Sequence, residues 1–435
     1  MKIYNSIEKK NVELRIINNK VSIYLCGPTV YNHVHIGNIR PIIIFDVLTR
    51  VLRIFKVDVT FIHNITDIDD KIIAQSKIEQ KKELELSNYY FLHYKNILDK
   101  LNISKGIYFP RVSEHISGII KYTEELFNKN IAYEVNGNLY FSINKIPNYG
   151  SISNKKISEL EIGARIEENN EKKDPFDFVI WKKTTEGIRW KSNFSYGRPG
   201  WHTECVYLIN KYIGKTVDIH GGGVDLKFPH HENENAQNMG MFNKELAKHW
   251  MHIGHLTVNE TKMSKSKNNY IYAKDILEVY SANAIRWFFY QTKYSNPINF
   301  EDEYLQNAND EIEKILYDMN IFKSYLIIND SLRPIMLNAM IFDDLLNDLN
   351  IPNTITFINQ ELKNAHKALR ENEFSLLNMK YNIVFTLLYV LGISVNEIHN
   401  EKNINDLIKW NKLKNEKNYV QADVLRKELI KNKLL

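Results

Sequence analysis

The sequence predicts an α/β protein. A parallel sheet built from βαβ units is interrupted by an insertion and followed by an all-helical C-terminal region. Three observations predict this. Strand-like and helix-like segments alternate in the N-terminal third, and alternation resumes near Val217 after a break between about residues 131 and 191. Beyond about Tyr304 there are few strand signals and little Gly or Pro. There, apolar residues recur at spacings of three and four, the period of a helix face.

The elements follow in order. Val21-Ser-Ile-Tyr-Leu-Cys26 is a β-branched and aromatic run closed by the turn signal Gly27-Pro28. A helix starts at about Gly37 and runs through Ile42–Arg53, and Val57–His63 is the next strand. Strand, helix, strand in about 40 residues is a βαβ unit, which requires a parallel sheet. Residues 84 to 130 read as helical. Tyr133–Ser142 reads as a hairpin with Asn136-Gly137 at its tip. Glu167–Asp174 is a charged loop, and Val217–His220 is a strand running into Gly221-Gly-Gly223.

A chain of 435 residues exceeds one ordinary domain and suggests roughly two to four. With 44% hydrophobic and 25% charged residues it has the balance of a globular protein, not of a disordered one. A net charge of +5 permits a polyanionic partner without demanding one. Two cysteines, Cys26 and Cys205, exclude a disulfide-stapled scaffold. The start, Met1–Lys10, has no apolar core of a signal peptide. The longest apolar stretch, near Ile383–Ile393, is shorter than the roughly 18 to 20 residues of a spanning helix. A cytoplasmic protein without a membrane segment is expected.

Four segments carry chemistry. Cys26 ends a strand, where open α/β sheets place ligand groups. Cys205 closes Pro199-Gly-Trp-His-Thr-Glu-Cys205. If Pro229 begins a helix, His230 and Glu234 share one face a turn apart. Two thiolates, an imidazole and a carboxylate make a zinc donor set. His231 and Glu232 compete for the same roles, and spacing alone does not choose. The plain alternative is two buried cysteines and a His-rich cap. The second segment, Thr29–Asn38, joins the first strand to the following helix. It offers imidazoles, Gly37 and a helix N-terminus to an anion. The third, Lys262-Met-Ser-Lys-Ser-Lys-Asn-Asn269, is a basic loop suited to polyphosphate. The fourth, His220-Gly-Gly-Gly-Val-Asp225, suggests close backbone approach to a ligand, and it lacks the dinucleotide fingerprint. Each of the last three also reads as an ordinary cap, surface loop or turn.

Jointly, these segments resemble the cysteinyl-tRNA synthetases, a family of class I aminoacyl-tRNA synthetases. The family's first signature stands here as His35-Ile-Gly-Asn38 and the second as Lys262-Met-Ser-Lys-Ser266. Cys26–Tyr31, Asn64-Ile-Thr-Asp-Ile-Asp-Asp-Lys71, Gly200–Cys205, Asp218–Glu234 and Tyr294–Phe300 match as well. The likeness is dense to about residue 305 and looser beyond it.

The resemblance implies a doubly wound, Rossmann-like catalytic domain in two halves, 1–105 and 195–250, split by a connective insertion over 106–194. A stem-contact region over 251–310, a helical bundle over 311–395 and a shortened anticodon-binding region over 396–435 would follow. It implies one Zn2+ per chain on Cys26, Cys205, His230 and Glu234, binding the substrate thiol, and Mg2+ with ATP. Soft thiolate prefers zinc far more than a hydroxyl does, so serine is rejected without an editing site. The implied partners are tRNA(Cys), ATP and L-cysteine, and the implied state is a monomer. Cysteinyl-adenylate forms first, and a terminal ribose hydroxyl of the tRNA then takes the acyl group. The resemblance assigns catalysis to His35, Lys262 and Lys265. It assigns ATP contacts to His35, Gly37, Asn38, Asp225 and Lys265, and substrate contacts to Thr66 and Trp201. Two departures stand out. Asn38 replaces the usual second histidine of the first signature. The chain also ends at Leu435, soon after the helical stretch 418–429, in which Tyr419 could stack on an anticodon base or simply pack. Two other readings are a ligase joining cysteinyl-adenylate to an amino sugar, and a non-catalytic zinc-containing tRNA-binding protein.

Overall fold

The computed structural model describes residues 1–154, 170–263, 270–395 and 397–435. The chain divides into two compact units: residues 1–257 with 262–276 and 295–298, and 258–261 with 277–294 and 299–435.

The first unit opens with a hairpin, β1 (Lys2–Asn5) against β2 (Lys10–Glu13). Its central sheet is β3 (Lys20–Leu25), β4 (Asp58–His63), β5 (Ile107–Tyr108), β11 (Val217–Gly223) and β12 (Ala247–Ile253), ordered β12-β11-β3-β4-β5. Every neighbouring pair is parallel. The chain winds outward from β3 to β5, returns to β11 and winds outward again to β12. This is a doubly wound sheet, and its order reverses between β3 and β11, which pair directly. Val21, Ile23, Tyr24 and Leu25 are all buried, as a central strand covered on both faces requires.

Helix α1 (Ile36–Ile54) crosses from β3 to β4. It buries Ile36, Ile39, Ile42, Ile43, Ile44, Phe45, Val47 and Leu48. Its start is a capping box: His35 Nδ1 accepts from Gly37 N–H at 3.1 Å, and Asn38 Oδ1 accepts from His35 N–H at 3.1 Å. Helices α2 (Asp70–Glu79) and α3 (Glu83–Lys100) follow. The single helical stretch expected over 84–130 is broken. After Lys100 the chain turns through Asn102 (φ 54) and Gly106 (φ 90), forms β5 and meets Pro110, and only then enters α4 (Ile116–Asn128). Two left-handed residues and a proline cannot continue a helix.

Between α4 and β11 lies an antiparallel sheet of β6 (Ala132–Val135), β7 (Asn138–Phe141), β8 (Phe178–Lys183), β9 (Trp190–Lys191) and β10 (Tyr196–Pro199), ordered β6-β7-β8-β10-β9. Asn136 (φ 53) and Gly137 (φ 87) turn the β6–β7 hairpin, as the sequence predicts. By strand pairing, Ile107–Tyr108 belongs to the parallel sheet and Tyr196–Pro199 to the antiparallel one. The charged loop expected at Glu167–Asp174 lies partly outside the described residues. Phe141, Trp181, Ile119, Leu126, Leu208 and Trp250 join one buried cluster, so this sheet shares a core with α5 (Trp201–Tyr212), β11 and β12.

The second unit carries helices Ala282–Tyr290, Asp302–Ile328, Ile351–Arg370, Phe374–Val390, Glu401–Asn415 and Tyr419–Lys431. The all-helical expectation beyond Tyr304 holds among the described residues. Arg286 is fully buried and donates to Tyr290 Oη and to Leu391 O. The last two helices build a small core of their own around Leu407, Trp410, Ala422 and Leu429. Tyr419 is 58% exposed. No helix among the described residues is long and apolar enough to cross a membrane.

Candidate active site and metal centre

A cavity of about 400 Å³ opens at the carboxyl ends of β3 and β11. Open α/β sheets bind ligands at this place, because the loops leaving adjacent strands diverge there. Cys26, His35, Gly37, Asn38, Trp201 and Asp225 line it.

Four side chains remote in sequence meet beside the cavity. Cys26 leaves the end of β3, and Cys205 lies in the first half of α5. His230 sits in a kinked, wide helical turn over Lys227–His231 that runs into α6 (Glu232–Phe242), where Glu234 lies in the first turn. The helix therefore starts later than a Pro229 start would place it, yet His230 and Glu234 still face each other one turn apart. Cys26 Sγ is 3.9 Å from Cys205 Sγ and 3.6 Å from Glu234 Oε1. His230 Nε2 is 3.8 Å from Cys205 Sγ and 3.0 Å from Glu234 Oε1. Tetrahedral zinc, with bonds of about 2.3 Å to sulfur and about 2.0 Å to nitrogen or oxygen, holds its donors roughly 3.3 to 3.8 Å apart. Spacing and donor chemistry both fit such an ion. A second grouping, Cys26, His220, His231 and Glu234, shares two of these residues. In it, His220 Nε2 lies 2.8 Å from Glu234 Oε2, and His231 Nδ1 lies 2.8 Å from His252 Nε2. Glu232 points elsewhere, its carboxylate accepting from the backbone N–H groups of Gly150, Ile152 and Ser153.

The electrostatics are those of a buried cluster. Burial pushes the Cys26 thiol up, and the neighbouring Cys205 adds to it. Burial disfavours the His230 imidazolium, but Glu234 and Cys205 outweigh it and raise the group to about 10. Burial would raise the Glu234 carboxyl, but His230 and His220 hold it well below the usual range.

At the other end of the cavity, burial lowers His35 to about 4, with Asp225 opposing, so the ring is neutral. Its Nδ1 accepts from Gly37, which leaves the proton on Nε2. A Cβ at Gly37 would sit 3.0 Å from the His35 ring and 3.1 Å from Met263 Cε. Trp201 is 44% exposed, and its ring centroid is 4.4 Å from that of His230. It is a wall of the cavity and not a core residue. Thr66 is buried, donates to Glu204 Oε2 at 3.0 Å, and is not among the cavity-lining residues. Lys265 and the side chain of Lys262 lie outside the described part of the structure. The first two glycines of 221–223 approach protein and not open space. A Cβ at Gly221 would lie 2.1 Å from Phe45 Cζ, and one at Gly222 would lie 2.8 Å from Leu226 Cδ1.

Sequence reasoning missed three histidines. His63 lines the cavity, His220 contacts Glu234, and His202 Nδ1 lies 3.0 Å from His230 Nδ1. The matched segments contain His202 and His220, but only the fold shows what they touch. His63 reads merely as a strand end.

Comparison with known proteins accords with this geometry. The profile of the class I (C) tRNA synthetase catalytic domain matches residues 13–310. The chain is 50% identical to the cysteine–tRNA ligase of Malacoplasma penetrans (strain HF-2), with both chains covered in full. The chain belongs to the cysteine–tRNA ligase family of class I tRNA synthetases. It is also 44% identical to the cysteine–tRNA ligase of Ureaplasma parvum serovar 3, over 99% of each chain. Among solved structures, a Mycobacterium tuberculosis methionyl-tRNA synthetase in complex with methionyl-adenylate superposes with a TM-score of 0.64 at 13% identity, covering 89% of this chain and 93% of that one. At that identity the likeness speaks for the class I fold alone.

Proposed function

We propose that this protein is a cysteine–tRNA ligase, activating L-cysteine with ATP and passing it to the 3′ end of tRNA(Cys). One observation carries the reading: a largely buried Cys, Cys, His, Glu donor set stands beside a nucleotide-sized cavity at the sheet's switch point. Cys26, Cys205, His230 and Glu234 would hold zinc, which supplies a soft Lewis acid that takes a thiol in preference to a hydroxyl. To present Nε2 to a metal, His230 must carry its proton on Nδ1, where His202 Nδ1 is placed to accept it.

The rest of the work is positioning and charge stabilisation. The substrate carboxylate attacks the α-phosphate of ATP, accompanied by Mg2+, and pyrophosphate leaves. His35 faces the phosphates as a neutral donor through Nε2–H. Lys262 and Lys265 neutralise charge on the phosphates, as three lysines in one short segment are suited to do. Gly37 leaves the helix start open for the nucleotide, and Asp225 accepts from ribose hydroxyls or the substrate ammonium. Trp201 walls the amino-acid end. Asn38 caps α1 through its own side chain, so its departure from histidine leaves the helix start intact. The tRNA ribose hydroxyl then attacks the acyl carbon and AMP leaves.

The test is charging of purified tRNA with labelled cysteine, against serine, alongside cysteine-dependent pyrophosphate exchange. Cysteine on intact tRNA, without serine, is the expected result. Exchange without charging would move the acceptor to a small molecule. Neither activity would leave a binding protein.

A further inference from the structure

Of the four donors, Cys26 alone is carried by neither a helix nor the turn that leads into one. It stands one residue beyond the carboxyl end of β3. The peptide on either side of it is held. Cys26 N–H donates to Gly221 O at 3.0 Å. Leu25 O, a pure acceptor, takes a hydrogen bond at 3.0 Å from His63 Nδ1, which therefore bears the proton. His63 Nε2 then accepts from Tyr94 Oη at 2.8 Å. Gly27 N–H donates to Asn64 Oδ1 at 2.9 Å. A Cβ on Gly27 would fall 1.5 Å from Asn64 O, so the two backbones lie flush.

This contact continues across the fold. Asn64 Nδ2 lies 3.5 Å from Thr66 Oγ1, and Thr66 Oγ1 donates to Glu204 Oε2 at 3.0 Å. Glu204 is the residue before Cys205 in α5. Thr66 also zips its backbone to the segment after Cys26: Val30 N–H donates to Thr66 O at 3.1 Å and Thr66 N–H to Pro28 O at 3.3 Å. Asn64, Thr66 and Glu204 are each 1 to 2% exposed. Buried polar groups persist when they are satisfied, and here they satisfy one another along a line joining the two cysteines.

We propose that His63, Asn64, Thr66 and Glu204 form a buried strut that sets the spacing of Cys26 and Cys205 for one metal ion. They are positioning residues, and none supplies a metal donor. The inference rests on the metal reading given above. It also gives Thr66 work that does not involve substrate. The backbone around Cys26 is anchored by groups from the end of β4, and the last link reaches the helix of Cys205. Loss of the middle link leaves Glu204 buried without its donor and frees one thiolate relative to the other.

The test uses the full chain and zinc alone. Zinc affinity is measured by competition with a chromophoric chelator, and cobalt is substituted to read the thiolate-to-metal charge-transfer band. Thr66→Val keeps the volume and removes the hydroxyl, whereas Thr66→Ser restores the hydroxyl. We expect Thr66→Val to bind zinc about 10- to 100-fold more weakly, as loss of an outer-shell partner does. Its cobalt band should weaken, and Thr66→Ser should return both towards the parent. Equal affinity and an unchanged spectrum in Thr66→Val would overturn the strut, as would a Thr66→Ser variant no better than Thr66→Val. A parent chain that takes up no stoichiometric zinc would instead overturn the metal reading itself. Should Thr66→Val fail to fold, His63→Leu against His63→Asn makes the same comparison on the other side of Cys26, since only asparagine keeps a donor near the Nδ1 position.

Discussion

The two carboxylate oxygens of Glu234 face different partners, and His220 lies against one of them. His220 Nε2 lies 2.8 Å from Oε2, which leaves Oε1 facing Cys26 and His230. His220 is itself fixed by stacking on Trp250, with ring centroids 4.6 Å apart. A ligand carboxylate oriented this way loses less freedom on metal binding. His220→Leu should therefore weaken zinc binding about 10- to 100-fold while leaving ATP binding intact. Equal zinc affinity in parent and variant, read by chelator competition, would refute this role.

His202 should matter through tautomer control. His202→Phe keeps an aromatic ring against Phe178 and removes the acceptor at His230 Nδ1. Zinc should dissociate faster by about one order of magnitude. The check is the rate of zinc transfer to an excess of chelator, and an unchanged rate would rule the role out.

Glu232 ties the segment after β7 to α6. Its carboxylate accepts from Gly150, Ile152 and Ser153 at 2.8, 3.0 and 2.9 Å, and beside it Asn233 Oδ1 accepts from Tyr149 Oη at 2.5 Å. Glu232→Gln turns one acceptor into a donor facing backbone donors. The expected cost is about 2 kcal/mol, read in a urea titration. A midpoint within error of the parent would show that the loop is held by other contacts.

Acid should destabilise both units. Burial lowers His63 in the first unit and His399 in the second to about 4. Their unfolded value is about 6.5, so between the two the unfolded chain binds the extra proton more readily. Each contribution is present above pH 6.5 and is lost as pH falls towards 4. At pH 5 each histidine should cost about 2 kcal/mol relative to pH 7.5. Urea midpoints at the two pH values, compared between the parent and His399→Gln, check the His399 share, which the substitution should remove from the slope. A slope that the substitution leaves unchanged would refute the assignment for His399.

Much of this was legible before any fold was known. The strand ending at Cys26, the helix after His35, the Asn136-Gly137 hairpin and the helical C-terminal region follow from local pattern, because period and turn chemistry are properties of short segments. The break at β5 was missed although Gly106 and Pro110 marked it. A two-residue strand carries almost no periodic signal, and its pairing partner lies more than 40 residues away.

The sequence by itself determined the fold class, the donor types for a metal, the basic segment at Lys262 and the family. These depend on residue identity and spacing, which the chain carries explicitly. Only the tertiary structure decided how the neighbouring residues in 230–234 divide their work. His230 and Glu234 turn to the cysteines, His231 bonds to His252, and Glu232 reaches the segment after β7. It alone showed that Thr66 spans towards Glu204 and lies outside the cavity lining. Such choices depend on which neighbour a buried polar group meets. That neighbour is set by strand order and packing between segments from about 20 to well over a hundred residues apart, and no local pattern encodes it.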